Sequence, residues 1–118
     1  MITIQVPFDI TDEWFEQYIE SAHAGIVYWA HGSRSHRLAD EDDMTFFEFV
    51  DDTTSIRHGI SRVGIAVAVE RIIDGSAKGL NANNRSMVLR SLHDPGDLDA
   101  DVGDWVTQAA AFGEVVYG

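Results

Sequence analysis

The sequence predicts the α+β class: a small, mainly antiparallel sheet with about four helices packed largely on one face. Two observations lead to this prediction. Several short stretches alternate apolar and polar residues or are rich in aromatic and β-branched residues, which is typical of strands. Longer stretches repeat apolar residues at helical spacing. Because 118 residues suffice for one hydrophobic core, a single domain over residues 1–118 is predicted.

The first strand is predicted over residues 2–8, where apolar and polar residues alternate. Pro7 has no backbone N–H to donate, which favours an edge position. The first helix is predicted over residues 11–24, with Thr11 as N-cap and Gly25 as a left-handed residue after the last turn. Its apolar face consists of Trp14, Phe15, Tyr18, Ile19 and Ala22.

Two further strands are predicted over residues 26–30 and 44–51, which are rich in β-branched and aromatic side chains. We expect these two strands to pair. The polar segment between them then forms a long hairpin loop, and loops of this length often carry function.

Three more helices are predicted over residues 54–74, 83–93 and 101–112, followed by a terminal strand over residues 115–117. Candidate N-caps, in the same order, are Thr53 or Thr54, Asn81 or Asn83, and Asp99 or Asp101. The apolar stripe of the second helix is assigned to Ile56, Ile60, Val63 and Val67, and Ile72 or Ile73 extends it.

The charge is strongly acidic and unevenly distributed. The net charge is −12, and all eight basic residues lie between Arg34 and Arg90. Acidic chain ends repel a phosphate backbone, so no direct nucleic-acid binding is predicted. The charge favours a protein partner with a basic surface, and the simpler alternative is a solvated surface that confers solubility.

The segment 25–37 concentrates two aromatic residues, two histidines and two arginines. If residues 26–30 form a strand, Tyr28 and Trp29 point to opposite faces, so one ring faces the core and the other faces a helix layer or a partner. Aromatic and arginine side chains are the residues enriched in binding hot spots. The candidate ligand- or partner-binding residues are therefore Tyr28, Trp29, His31, Arg34, His36 and Arg37.

An acidic run follows this segment. Asp40, Glu41, Asp42 and Asp43 are a candidate acidic partner surface, or the solvated end of the loop. Two histidines with this run would suit a first-row metal, but their spacing matches no standard ligand pattern, and no metal site is predicted. The alternating aspartates at 97, 99 and 101 lack the glycine and glutamate positions of an EF-hand and are better explained as helix caps.

No catalytic motif is recognised. The serines lack a nucleophile elbow, the glycines lack a phosphate-loop pattern, and cysteine is absent. The sequence therefore does not favour an enzyme and predicts no cofactor. It contains no apolar stretch long enough for a membrane span, and it does not specify an oligomeric state.

Two stretches resemble a group of small, uncharacterised phage and prophage proteins. The stretch from Ala22 to Trp29 is similar to their GGxNYW motif after the first helix, with Ala24 and Val27 where the motif prefers Gly and Asn. Residues 103–118 are similar to their GDxxxQxxxFGEVVYG terminus. The resemblance implies a phage origin and a shared fold, and it implies no activity and no catalytic residues.

These observations predict a phage-encoded accessory protein that acts by protein–protein contact in the host cytoplasm, inhibiting a host defence or nucleic-acid-handling protein. The alternative from another class is a small-ligand or nucleotide-binding module, even an enzyme, with an aromatic, Arg and His pocket around residues 28–37. The third hypothesis is a structural protein that self-associates through an apolar face.

Overall fold

The fold is given by a computed structural model that describes residues 1–5, 8–36 and 41–118. It contains four helices and two small antiparallel sheets, which confirms the predicted α+β class. The helices are α1 (Asp12–Gly25), α2 (Arg62–Ile73), α3 (Ala82–His93) and α4 (Ala100–Phe112). The strands are β1 (Ile2–Ile4), β2 (Phe8–Ile10), β3 (Ala30–Ser35), β4 (Thr45–Asp51) and β5 (Arg57–Ser61).

The N-terminal segment is a hairpin and not the single strand predicted over residues 2–8. β1 pairs with β2, with Ile2 opposite Ile10 and Ile4 opposite Phe8. Apolar and polar residues alternate within each of these short strands. Alternation alone therefore does not distinguish one long strand from two strands of a hairpin. The predicted role of Pro7 lies outside the described residues.

The strand predicted over residues 26–30 is wrong, because helical-type turns extend α1 instead. The N–H of Ile26 donates to the carbonyl of Ala22, and the N–H of Ala30 donates to the carbonyl of Ile26. The strand begins only at Ala30 and runs through the polar residues predicted to be a loop. β3 lies at an edge of the sheet, ordered β3-β4-β5, where its side chains are largely exposed and polar residues are tolerated.

The helix predicted over residues 54–74 is a strand followed by a helix. Residues 57–61 form β5 against β4, and Ser61, not Thr53 or Thr54, caps α2 by accepting from the N–H of Gly64. The buried stripe of α2 consists of Ile65, Ala66, Ala68, Val69 and Ile72, whereas the predicted Val63 and Val67 are exposed. Ile56 and Ile60 are spaced as on one face of a helix, but Ile60 belongs to β5 and is buried there.

The other helix starts agree with the sequence. Thr11, Asn81 and Asp99 cap α1, α3 and α4 through their side-chain oxygens. Gly113 ends α4 with φ of 77°. The strand predicted over residues 115–117 is wrong: among the described residues only Glu114 forms a bridge there, parallel to Lys78.

The centre of the molecule is the crossing of α1 and α4. Buried side chains of α1 hydrogen-bond across it: Tyr18 lies 2.6 Å from Thr107 of α4, and Trp14 donates to Ser91 of α3 at 3.1 Å. Trp14, Tyr18, Phe47 and Phe49 are among the largest fully buried side chains. In the part of the chain that the structure describes, no helix is long and apolar enough to cross a membrane.

Candidate functional site

The exposed face of the β3-β4-β5 sheet carries most of the candidate residues of β3. Arg34 lies opposite Glu48 of β4, and its Nε is 3.2 Å from a Glu48 carboxylate oxygen. His36 is 3.5 Å from the other oxygen of Glu48, and Arg57 of β5 is 3.3 Å from the first. His31 pairs with Asp52. Three ionisable nitrogen groups therefore share one half-buried carboxylate.

A bulge in β3 sets the spacing of these side chains. The register with β4 shifts between His31 and Arg34, and Gly32 between them has φ of 63°. Glycine adopts this left-handed conformation without a steric penalty. Exposed ion pairs contribute about 0–1 kcal/mol each, so these pairs add little to the stability of the fold.

The two aromatic candidates lie at a different place, beside α4. Trp29 is buried, and its indole N–H donates to the Oδ1 of Asp104 at 2.7 Å. Tyr28 is 56% exposed, while its hydroxyl donates to the Oδ2 of Asp104 at 2.6 Å. The expectation that one of these rings faces the core holds, although a turn and not a strand positions them.

Gln108 joins Asp104 to the C-terminal residues. Its amide nitrogen donates to Asp104 at 2.9 Å and to the carbonyl of Tyr117 at 3.0 Å. Its amide oxygen accepts from the backbone N–H of Val116 at 2.8 Å and of Tyr117 at 2.7 Å. The Gln108 side chain thus holds the C-terminal residues by hydrogen bonds, in place of the strand pairing that the sequence predicts for residues 115–117.

An aromatic cluster completes the arrangement. The Trp29 ring stacks on Tyr117 with centroids 5.2 Å apart, and Phe112 lies against both rings. The Tyr117 hydroxyl reaches Asp51 at the end of β4, at 3.0 Å. The two stretches that carry the phage resemblance, 76 residues apart at Tyr28 and Asp104, are therefore in direct contact.

A pocket of about 450 Å³ opens next to this network. Its lining residues include the aromatic residues Tyr28, Trp105 and Tyr117 and the acidic residues Asp101 and Asp104. Desolvation raises the pKa of the Tyr28 phenol, and its hydrogen bond to Asp104 and the charges of Asp104 and Asp101 raise it further. The phenol therefore remains protonated and keeps donating to Asp104 at neutral pH.

The second buried carboxylate, Asp51, remains ionised at neutral pH. Its burial opposes ionisation, but hydrogen bonds from the N–H of Thr53, the hydroxyl of Tyr117 and the N–H of Thr54 outweigh this, so its pKa lies below the usual value. The network therefore holds two buried carboxylates. Asp51 accepts from the Tyr117 hydroxyl, and Asp104 accepts from the Gln108 amide, which also contacts the Tyr117 backbone.

The structure separates the predicted set. His31, Arg34 and His36 lie on the sheet face, whereas Tyr28 and Trp29 contact α4. Arg37 and Asp40 lie outside the described residues. Glu41, Asp42 and Asp43 are exposed next to the start of α2, where the carbonyl of Asp42 accepts from the N–H of Val63. Among the described residues, no group of three metal-binding side chains comes together.

Sequence reasoning missed Asp104 and Gln108 as site residues. Both are polar side chains on an otherwise apolar stretch of α4, four residues apart and therefore on one helical face. That pattern, together with their place in the terminal motif, is the sequence signal that could have identified them. Both side chains are buried in the structure.

Fold and site define a small α+β protein with a conspicuous internal polar network, an acidic aromatic pocket and a separate basic sheet face. Comparison of the chain with models of protein families, with curated proteins and with solved structures finds no match.

Proposed function

We propose that this chain is a small acidic accessory protein of phage origin that acts in the host cytoplasm by contact with a protein partner that has a basic surface. The observation that carries the proposal is the charge: −12 on 118 residues, with most described carboxylates exposed. Exposed acids follow the outer side of α1 at Asp12, Glu13, Glu16 and Glu20, and they recur at Glu41, Asp42 and Asp43.

Inhibition of a host defence or nucleic-acid-handling protein is the form of action that fits this surface. A protein that binds nucleic acid presents Lys and Arg to phosphates, and a dense carboxylate surface competes for the same groups. Electrostatic complementarity of this kind accelerates association and makes it sensitive to salt.

The experiment is a pull-down on the immobilised chain from nuclease-treated host lysate, at sodium chloride concentrations from low to high. We expect retention of a basic protein that is lost as salt rises and that is displaced by competing nucleic acid. The interaction is then rebuilt from the two purified proteins. Retention of nothing at low salt, or retention indifferent to salt, would overturn the proposal.

Matched variants locate the surface. The triple variant Glu41→Gln, Asp42→Asn, Asp43→Asn removes three exposed charges and should weaken the purified complex at least about tenfold if these residues contact the partner. The control variant Arg34→Gln, Arg71→Gln removes exposed positive charges and should not weaken it.

A second candidate function, a module that binds a small anion or nucleotide, is favoured by one observation. Arg34, His36 and Arg57 converge on the single carboxylate of Glu48, which leaves positive charge for a ligand phosphate. Neither predicted ring joins this sheet face, because Trp29 is buried and Tyr28 contacts α4, so this function rests on the charged side chains alone. Titration with ADP, read by amide shifts of β3 and β4, tests this function. Saturable shifts that Arg34→Gln abolishes would support it, and their absence would overturn it.

A further inference from the structure

The pocket beside Tyr28 has walls of one charge sign. Asp101 and Asp104 are the acidic residues of its described lining, which includes no Lys or Arg. Lys78 precedes the lining residue Gly79 in the chain, but its own side chain does not line the pocket. An electronegative concave site with low-dielectric walls concentrates cations.

Asp104 lines this pocket and is held in place by three donors. Its Oδ1 accepts from Trp29 and Gln108, while its Oδ2 accepts from the Tyr28 hydroxyl, among the described residues. A carboxylate offers about four acceptor positions, so these donors fix its orientation without filling every position.

Aromatic rings complete the lining. Tyr28 and Trp105 both border the pocket, and Tyr28 is held by its hydroxyl while most of its surface is exposed. Carboxylates beside aromatic faces recognise guanidinium groups, because the planar fork hydrogen-bonds carboxylates and stacks on rings.

We propose that this pocket receives an arginine side chain of the basic partner protein, held by Asp101 and Asp104 and packed against Tyr28 and Trp105. The inference rests on the proposed function, and it names the chemistry by which that partner is recognised.

Exposed apolar side chains next to lining residues in the chain support a protein as the source of the arginine. Val27, Tyr28 and Val116 are 69%, 56% and 54% exposed. Val27 precedes the lining residue Tyr28, and Val116 lies between the lining residues Val115 and Tyr117. Val116 and Tyr28 both hydrogen-bond Gln108, which places them at the same network. Apolar surface around a buried charged anchor is the usual anatomy of a hot spot.

The test is an NMR titration of the full chain with N-acetyl-arginine-N-methylamide. We expect saturable shifts of the Trp105 indole N–H and of the Asp101 amide at millimolar concentrations. The neutral isostere N-acetyl-citrulline-N-methylamide should bind at least tenfold more weakly, and the lysine analogue should also bind more weakly. Absence of saturable shifts, equal binding of citrulline, or equal binding of lysine would each overturn the assignment to arginine.

Substitutions of pocket residues test whether the arginine analogue binds in this pocket. Asp101→Asn removes an exposed carboxylate of the pocket, and Trp105→Leu removes one ring; each should weaken binding of the arginine analogue at least threefold. Asp9→Asn removes one exposed charge from β2, outside the pocket lining, and should leave binding unchanged, which separates the pocket from net charge. Equal effects of Asp101→Asn and Asp9→Asn would contradict a pocket site.

Failure of this inference is distinguishable from failure of the proposed function. A salt-sensitive basic partner that is indifferent to Asp101→Asn and Trp105→Leu would overturn the pocket assignment and leave the proposed function standing. Binding of the arginine analogue without any basic partner would overturn the proposed function and leave a cation pocket.

Discussion

Asp51 shows how a single buried carboxylate ties distant parts of the chain together. It is 1% exposed and accepts from the backbone N–H of Thr53 at 2.8 Å and from the Tyr117 hydroxyl at 3.0 Å. The first contact closes the turn between β4 and β5, and the second holds the C-terminal segment. A buried carboxylate is tolerated because these donors replace its hydration.

Asp51→Asn should lower the free energy of unfolding by about 2–3 kcal/mol at pH 7, because the amide carries no charge and keeps only one acceptor oxygen, while its NH2 group faces other donors. The pKa of Asp51 is lower in the folded than in the unfolded chain. Its contribution is therefore present above the unfolded pKa of about 4 and is lost as pH falls through the folded value. Urea unfolding of both proteins from pH 7 to pH 3 measures this, and the difference between them should shrink below pH 4.

The neighbouring residue provides the control. Asp52 is exposed and pairs with exposed His31, so Asp52→Asn should change stability by less than about 0.5 kcal/mol. Equal losses for the two substitutions would contradict a special role for Asp51.

The tyrosines provide a second test at the residue scale. Burial raises the pKa of Tyr18, and desolvation followed by contact with Asp104 raises that of Tyr28. A folded pKa above the unfolded one contributes stability that is present below about pH 10 and is lost as pH rises through the folded value. Absorbance at high pH should therefore show these two phenols ionising later than an ordinary tyrosine, together with loss of far-UV circular dichroism.

Tyr28→Phe and Tyr18→Phe should each remove one late-ionising phenol from this titration. Ionisation of all phenols near the ordinary pKa while the helices persist would show that the Tyr28–Asp104 contact does not exist in solution.

Elements that are specified by neighbouring residues could be predicted from the sequence. Elements that depend on contacts between residues far apart in the chain could not. Caps such as Thr11 and Asp99 depend on neighbouring backbone N–H groups and were identified from the sequence. Residues 26–29 have strand propensity but form turns, because Trp29 and Tyr28 bond to Asp104 on α4. Propensity differences within about 1 kcal/mol do not compete with such contacts.

The candidate site was predictable in composition but not in arrangement. Tyr28 and Arg34 are six residues apart, yet one faces α4 and the other faces Glu48. The turn after α1 and the bulge at Gly32 decide this separation, and neither has a clear local signature. The pocket itself depends on residues 76 positions from Tyr28 along the chain, which no local pattern reveals.

Two glycines allow α1 and α4 to approach closely. A Cβ on Gly103 would lie 2.7 Å from the backbone nitrogen of Ala22, and a Cβ on Gly25 would lie 2.1 Å from the carbonyl oxygen of Ala100. Gly25 was expected to end the helix in a left-handed conformation, but it is the last residue of α1 without positive φ. Its role is steric rather than conformational.

Gly103→Ala should destabilise the chain by about 2–3 kcal/mol, although alanine has the higher helix propensity by about 1 kcal/mol, because the clash is with backbone that cannot rotate away. Thermal and urea unfolding measure the loss. Gly64→Ala, where the nearest atoms are side chains at 3.2 Å or more, should change stability by less than about 1 kcal/mol. A stabilising Gly103→Ala would show that the two helices are not this close.

At the scale of the whole molecule, the acidic surface that we propose for partner binding acts against the fold. The radius of gyration is 12.8 Å, so carboxylates on opposite sides are separated by a few tens of ångströms. Exposed charges interact over about 30 Å at 0.01 M salt, but only over about 8 Å at 0.15 M, because salt shortens the screening length. At low salt, each carboxylate is therefore repelled by most of the others, whereas at physiological salt only near neighbours interact.

The melting temperature should consequently rise as sodium chloride increases from 0.01 to 0.15 M, by about 4 °C if the relieved repulsion is about 1 kcal/mol. The exposed ion pairs at Glu48 weaken over the same range, but each contributes less than about 1 kcal/mol. Replacing Glu13, Asp43 and Glu114 with their amides removes exposed charges and should reduce the salt effect, as measured by calorimetry. A melting temperature that falls with salt would mean that ion pairs, not repulsion, dominate the surface electrostatics.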